Sequence, residues 1–224
     1  ARLTRRPLQI IWTQNTADIH EIEDSDFPLP KLARGECDVI FSVPGPGRDI
    51  FGDAKGLILG EAYYGAVFEL VGCVGELPAR LRALRGRTVA IQSQTVAHFA
   101  LLMVQAHPQN YFTVGDAIEG VLNGESHSGL LWGPTAGWKI HEGGHDHCRF
   151  SPDYFPPAAV RWNLHAVTRE TDTELRSKVD AALLTLLADG RLQEIGASYG
   201  VPVRKPFEST YSMGAINALQ WERE

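Results

Sequence analysis

The sequence predicts an α/β protein built as two similar lobes, and three observations predict it. A helix-stop-strand-turn pattern occurs twice, as LARGECDVIFSVPGP at 32–46 and as VLNGESHSGLLWGP at 121–134. Apolar strand-like runs alternate with helical stripes along the chain, the pattern of an α/β class with mainly parallel sheets. A length of 224 residues with 44% hydrophobic content can hold one large domain or two small lobes. In each copy of the repeat a glycine, Gly35 or Gly124, stands where a helix would end, because glycine takes the left-handed C′ conformation without a Cβ clash. Two such lobes set strand ends and helix N-termini across a cleft, which is a binding architecture before it is a catalytic one.

Taken in order, Leu8–Thr13 (LQIIWT) reads as a strand from its β-branched and aromatic content. An acidic stretch ending in Phe27-Pro-Leu-Pro leads to a short helix near Lys31–Arg34 and a strand at Asp38–Ser42. Val43–Gly60 is rich in Gly and Pro and reads as a long loop of the kind that carries function or faces a partner. Tyr63–Gly72 is a long strand, Ala79–Leu84 a short helix and Thr88–Gln92 a strand. Ser93-Gln94-Thr95 then offers hydroxyl caps to a helix running to about Gln105. A strand at Asn110–Val114, a helix at Asp116–Asn123 and a strand at Ser128–Trp132 follow, with Pro134 in the first turn of the next helix. Gly143–His147 is a turn, Arg161–Thr168 a strand, and Asp172–Ala188 a helix striped by Leu175, Val179, Leu183 and Leu186-Leu187. Leu192–Tyr199 is a last short helix. Val201–Glu224 lacks periodicity and reads as an ordered tail that wraps the surface, or as one that docks on a partner.

Composition excludes several classes. A net charge of −6 and a pI near 5.8 argue against a nucleic-acid or anionic-membrane surface. The N-terminal Arg2, Arg5 and Arg6 read as solvated, no run approaches the roughly 20 apolar residues of a membrane span, and Ala1 reads as a mature N-terminus left by processing. Among Cys37, Cys73 and Cys148, Cys37 and Cys73 could pair in an oxidising compartment and leave Cys148 free; three buried thiols are the alternative.

The segments GECDVIFS, EAYYGAVFELVG, LRALRGRTVAIQSQT, GDAIEGVLNGE, LLWGPTAGW and ELRSKVDAALLTLLADGRLQEIGASYGVP together resemble the type II periplasmic solute-binding proteins. Within that superfamily, WGPTAGW and the loop VPGPGRD resemble the J-type accessory proteins encoded beside methanol dehydrogenases. The resemblance implies a two-lobe fold with a reduced first lobe, the superfamily's opening strand and helix having no counterpart before Leu8. Its crossover strands would be Tyr63–Gly72 and Arg161–Thr168, with residues 73–160 as the second lobe and 1–72 plus 161–224 as the first. It also implies a periplasmic, non-catalytic protein that binds a PQQ-dependent methanol or alcohol dehydrogenase and aids its assembly or activation. A substrate-binding receptor of an ABC uptake transporter is the alternative, and a structural subunit of another periplasmic complex a third.

The same resemblance locates a ligand cleft and its departures. Where amino-acid receptors end a strand in an Asp that pairs with the ligand ammonium, this chain has Trp132. Where they offer Ser-Gly-Thr to the ligand carboxylate, it has Ser93-Gln94-Thr95, with a bulkier residue at the point of close approach. Arg48 is the candidate carboxylate clamp. The aromatics Trp12, Tyr63, Tyr64, Trp132 and Trp138 fall at or near strand ends, where they stack on a flat ligand or fill the cleft. These departures lead to the expectation that hinge closure on an amino acid has been lost.

Other constellations carry less. His141, His145, His147 and Cys148 (HEGGHDHC) are potential zinc or copper ligands, but a Gly-rich polar surface turn is the preferred reading and no metal is expected. Ser93, His98 and Asp116 could be drawn as a triad, yet no G-x-S-x-G elbow surrounds any serine. No G-x-G-x-x-G after a strand, Walker A or C-x-x-C-H is present, so no enzyme activity and no cofactor is expected.

Overall fold

The computed structural model describes residues 7–11, 28–47, 49–212, 214–216 and 218. Strands β1 (Ile40–Gly45), β2 (Leu57–Gly72), β3 (Thr88–Gln92), β4 (His107–Tyr111), β5 (Ser128–Trp132), β6 (Arg149–Phe150) and β7 (Arg161–Arg169) form one mixed sheet. Its order is β1-β7-β2-β5-β3-β4, with β6 paired to β2. Helices α1 (Pro28–Ala33), α2 (Val96–Met103), α3 (Val114–Leu122), α4 (Gly133–Glu142), α5 (Thr173–Ala188) and α6 (Arg191–Ala197) pack around it.

The sheet is not mainly parallel as the alternation suggested. Only β5, β3 and β4 run parallel, whereas β1–β7, β7–β2, β2–β5 and β2–β6 are antiparallel. Parallel neighbours need a crossover helix, and only the 88–132 segment supplies them, through α2 and α3. The two long strands β2 and β7 instead run against each other, and β2 changes partner along its length, from β7 at Leu57–Val67 to β5 at Phe68–Val71.

Period-two alternation splits the parallel half into two cores. Val89, Ile91 and Leu130 face one side with Ala97, Ala100 and Leu101 of α2; Ala90 and Leu131 face the other with Ala117, Ile118 and Val121 of α3 and Ala136 of α4. A separate small core joins Leu32 of α1 to Val43, Phe51, Leu57 and Val167 at the β1 end. There Arg169 is the fastener: Nη1 donates to the carbonyls of Leu32 (3.2 Å) and Cys37 (2.6 Å), and Nη2 pairs with Asp38 (2.9 Å) and Asp172 (2.7 Å). Asp180 of α5 accepts from the Glu61 N–H at 3.0 Å, pinning that helix to β2. Gly35 (φ +80°) and Gly124 (φ +75°) do end α1 and α3 in the left-handed region.

Several expectations are corrected. Residues 8–11 form no strand, and Leu8, Ile10 and Ile11 are exposed; Trp12 and Thr13 lie outside the described residues. The Val43–Gly60 loop is shorter than it read, because β1 continues to Gly45 and β2 begins at Leu57. Its Gly and Pro residues had masked strand content that pairing with β7 imposes. Thr95 precedes α2 but does not cap it: its hydroxyl donates to the Gln92 carbonyl at 2.8 Å. The tail is structured on its own chain as far as the described residues run: Gly65 N–H donates to Arg204 O (2.9 Å), Asn163 and Phe207 exchange two hydrogen bonds (2.8 and 2.9 Å), and Gly214 N–H donates to Asp49 (2.5 Å). Gly65 is required here, since a Cβ would lie 2.4 Å from the Lys205 carbonyl oxygen.

The cysteine pairing is also different. Cys73 and Cys148 form the disulfide, and Cys37 is the free thiol, its pKa raised by burial. The bridge follows from the β2–β6 register, which sets Gly72 opposite Arg149 and so brings the next residue of one strand beside the preceding residue of the other. It closes a loop with a sequence separation of 75 residues. Removing it with a Cys73→Ser, Cys148→Ser double variant should cost about 2–4 kcal/mol. Denaturant melts of the variant, and of the parent with and without reductant, measure this; unchanged midpoints would show that the bridge carries no stability.

Candidate functional site

The direction of travel through the parallel half decides where a site forms. From β3 the chain moves through α2 outward to β4, then back through α3 past β3 to β5. The two helices therefore lie on opposite faces, and the winding reverses between β3 and β5; the C-terminal ends of these two strands are the switch point at which open α/β sheets place a ligand crevice.

Helix starts at this crevice differ from the one beside it. α3 follows the edge strand β4, and its N-terminus is capped by Thr113, whose Oγ1 accepts from Asp116 N–H at 3.1 Å. α2 and α4 follow the two strands that flank the crevice, and neither has a side-chain cap. In α4 the second residue is Pro134, which removes one N–H from that turn. The uncapped α2 start, preceded by Gln94 in the left-handed region (φ +61°), leaves backbone donors for an acceptor from outside the helix.

The floor is aromatic. Trp132, at the end of β5, is half-buried and stacks on buried Trp162 of β7, with ring centroids 5.1 Å apart and planes at 11°. Phe68 of β2 meets both edgewise, at 5.7 and 6.0 Å. Register explains the cluster: Phe68 is opposite Trp132, and Ala66 is opposite Trp162, so both indoles lean over the strand between them. The Trp162 indole N–H is buried without a hydrogen-bond partner among the described residues.

Beneath the α4 start lies a buried charge. Glu69 is 2% exposed and is gripped by Arg204 through Nε (2.5 Å) and Nη2 (2.7 Å). Its stem sits against Gly133, the first residue of α4. The hydrogen bonds that Arg204 donates to Glu69 raise the guanidinium's pKa. Burial, then the Glu69 charge, also raise the phenols of Tyr64 and Tyr154. Tyr64 donates to the Pro202 carbonyl at 2.6 Å. Glu69, the acid adjoining the β5 end, is thus fully engaged and offers nothing to a cationic ligand.

Of the residues singled out from sequence, Ser93, Gln94 and Thr95 follow the C-terminal end of β3 and Trp132 ends β5, so these four lie at the switch point. Ser93 is tied to β4 through its N–H and Tyr111 O (2.8 Å), and the Gln94 side chain is exposed. Tyr63 and Tyr64 are buried: Tyr63 accepts from the Ser42 N–H at 3.0 Å on the β1 side, and Tyr64 holds the C-terminal segment. Trp138 is not brought there; it lies along α4 against His141 and Tyr199. Trp12 and Arg48 lie outside the described residues. Cys148 is taken by the disulfide, His145 faces Glu119 (3.5 Å) and His141 faces Trp138, and no group of three or more His, Cys, Asp or Glu among the described residues is placed to hold a metal. Sequence reasoning missed Glu69, Trp162 and Arg204. The signal available was an acid inside the long apolar run Tyr63–Gly72, which demands a buried cation.

No family model matches the chain, and no curated protein matches it. Solved structures do resemble it. The L-cystine solute receptor of Neisseria gonorrhoeae, in its unliganded open conformation, aligns over 79% of this chain and 72% of its own, with a TM-score of 0.64 and 15% identity. The second substrate-binding domain of GlnP from Lactococcus lactis, also open, aligns over 77% and 73%, with a TM-score of 0.62 and 13% identity. A histidine kinase sensor domain with similarity to periplasmic binding proteins aligns over 80% and 75%, with a TM-score of 0.50 and 18% identity. The fold is that of two-lobe solute-binding domains.

The buried pair yields a test of the site's foundation. Arg204→Ala should destabilise the protein by about 3–5 kcal/mol, because it leaves Glu69 uncompensated. The double variant Glu69→Met, Arg204→Leu should cost clearly less than that single change. Equilibrium unfolding of the two variants checks it; equal losses would show that packing, and not the stranded charge, dominates.

Proposed function

We propose that the chain is a non-catalytic solute-binding domain that works outside the cytoplasm and holds a small ligand in the crevice beyond β3 and β5, as the receptor part of an uptake or sensing system. The observation that carries this is the winding reversal flanked by two helix starts without side-chain caps. In this reading residues 73–160 form one lobe and residues 1–72 with 161–224 the other, joined by β2 and β7. The ligand sits on Ser93, Gln94, Thr95 and Trp132. The solved relatives include a receptor for L-cystine, which supports a small-molecule role. The Cys73–Cys148 disulfide supports an oxidising compartment such as the periplasm. No helix among the described residues is long and apolar enough to cross a membrane.

The ligand chemistry follows from the floor. A carboxylate can take the α2 donors, and a flat apolar body can lie on Trp132. An ammonium finds Trp132 where a carboxylate is needed and Glu69 already bound to Arg204. The favoured ligand is therefore an acid with an unsaturated or aromatic body and no amino group.

One observation favours a second reading, the accessory subunit of a PQQ-dependent dehydrogenase that the sequence resemblance implies. The Trp132–Trp162 stack presents the half-buried Trp132 indole as a fixed aromatic face, and such a surface also suits a protein partner.

A thermal-shift series separates the two. An aromatic monocarboxylate should raise the melting temperature in a concentration-dependent way, worth about 2.7 kcal/mol at a hundred times its dissociation constant. The shift should vanish in Trp132→Ala, and free amino acids should bind more weakly than micromolar by calorimetry. Small-angle scattering should show compaction with the bound acid. No response to any solute, with binding of a purified quinoprotein dehydrogenase instead, would replace the first reading by the second.

A further inference from the structure

At the other end of β3 from the crevice, the chain places a cluster of arginines that the fold does not use. Arg80, Arg82, Arg85 and Arg87 fall within eight residues of a protein whose net charge is −6, and all four are exposed. The local geometry explains why. Leu81–Leu84 is a 3₁₀ turn in which residues three apart lie above one another, so Leu81 and Leu84 are buried together while Arg82 and Arg85 share the solvent side. None of the four has a carboxylate partner among the described residues. The apolar residues of this turn account for its folding; the arginines do not.

An aromatic stack extends the patch. Phe155 is 58% exposed, and its N–H donates to the Ala79 carbonyl at 2.9 Å, so it abuts the arginine turn. Arg80 lies over its ring at 5.4 Å and Arg161 at 5.5 Å, and Arg161 also lies over Phe207 at 4.7 Å. Ring faces hold these guanidinium groups in fixed orientation without neutralising them. The forked donors of exposed Arg80 stay available for carboxylates, whereas Arg161 has its Nε buried, and less rotamer entropy is lost on binding than for free side chains.

We propose that Arg80, Arg82, Arg85, Arg87 and Arg161, with Phe155 between Arg80 and Arg161, form a docking surface for an acidic segment of a partner protein. Charge complementarity selects the partner's sign. Arginine and an aromatic, with no lysine, is the composition of protein–protein hot spots. An anionic membrane is the poorer match, because the rest of the chain carries the excess negative charge and a flat bilayer would face more of it than a peptide segment does. The surface is at the opposite end of β3 from the crevice, so solute and partner can be held together. It does not depend on the solute reading.

The test uses the full chain and a labelled peptide, acetyl-DEFDEYDE-amide, followed by fluorescence anisotropy. Binding is expected at low salt and should weaken as ionic strength rises to about 0.15 M. Arg82→Glu with Arg85→Glu should weaken it by about tenfold or more. Lys55→Glu with Lys178→Glu makes the same change in net charge at two exposed lysines, one before β2 and one on α5, and should leave it within about twofold. Phe155→Ala, which changes no charge, should weaken it by at least about threefold. Absence of binding, or equal losses in the two charge-reversed variants, overturns the proposal. So does arginine-dependent sedimentation with phosphatidylglycerol vesicles when the peptide does not bind, which would assign the patch to a lipid surface. Melting temperatures of the variants within a few degrees of the parent exclude misfolding as the cause.

Discussion

The forked ion pair between Glu69 and Arg204 is the constraint on which the rest of the molecule depends. It sits where β2 leaves β7 and takes up β5, so it joins the two halves of the sheet at their common strand. A carboxylate this deeply buried is tolerable only with its counter-charge in place. The counter-charge comes from the C-terminal segment, which is why that segment cannot be a loose tail. Once Arg204 is seated, Gly65, Tyr64 and Asn163 complete a row of hydrogen bonds along the same stretch. The segment then reaches Gly45 through Thr210 and Asp49 through Gly214, on the β1 side. One side chain thereby commits a whole segment.

That commitment shapes the crevice. With Glu69 turned toward Arg204, the start of α4 has a neutralised acid beneath it and an indole above. The Trp132–Trp162 stack exists because β5 and β7 flank the same strand, and the residue opposite Trp162, Ala66, is small. Chemical preference at the crevice thus follows from strand order, through which side chains that order brings together. The fold shared with solute-binding domains supplies the switch point, while the residues there set its chemistry.

The arginine turn and the crevice lie at opposite ends of β3, a separation that comes from strand polarity. The C-terminal ends of the parallel strands meet helix starts and favour acceptors. The N-terminal end of β3 is reached through a tight turn whose inward positions are both leucine, which leaves the alternate positions free of any packing role. A single short strand thereby spaces two chemically different surfaces.

Much of the local structure was legible in the chain. β3 and β5 were read with their final bounds, the glycines ending α1 and α3 were identified by position, and the stretches now forming α5 and α6 read as helical. Each rests on short-range physics: alternation, periodicity, or the left-handed freedom of glycine. Ser93, Gln94, Thr95 and Trp132 could be placed at the ends of β3 and β5 because strand ends and helix starts are local features. What the sequence could not supply were facts about distant partners. Antiparallel pairing of β2 with β7 spans roughly a hundred residues, and Cys73 meets Cys148 only because β6 adds to β2. The extent of β1 and β2 depends on pairing partners, which overrode glycine and proline signals. Glu69 and Arg204 are 135 residues apart, and nothing within either neighbourhood names the other. Sequence by itself determined the elements and the class; the tertiary structure decided the pairings, since burial of a charge or an indole is a property of what folds against it.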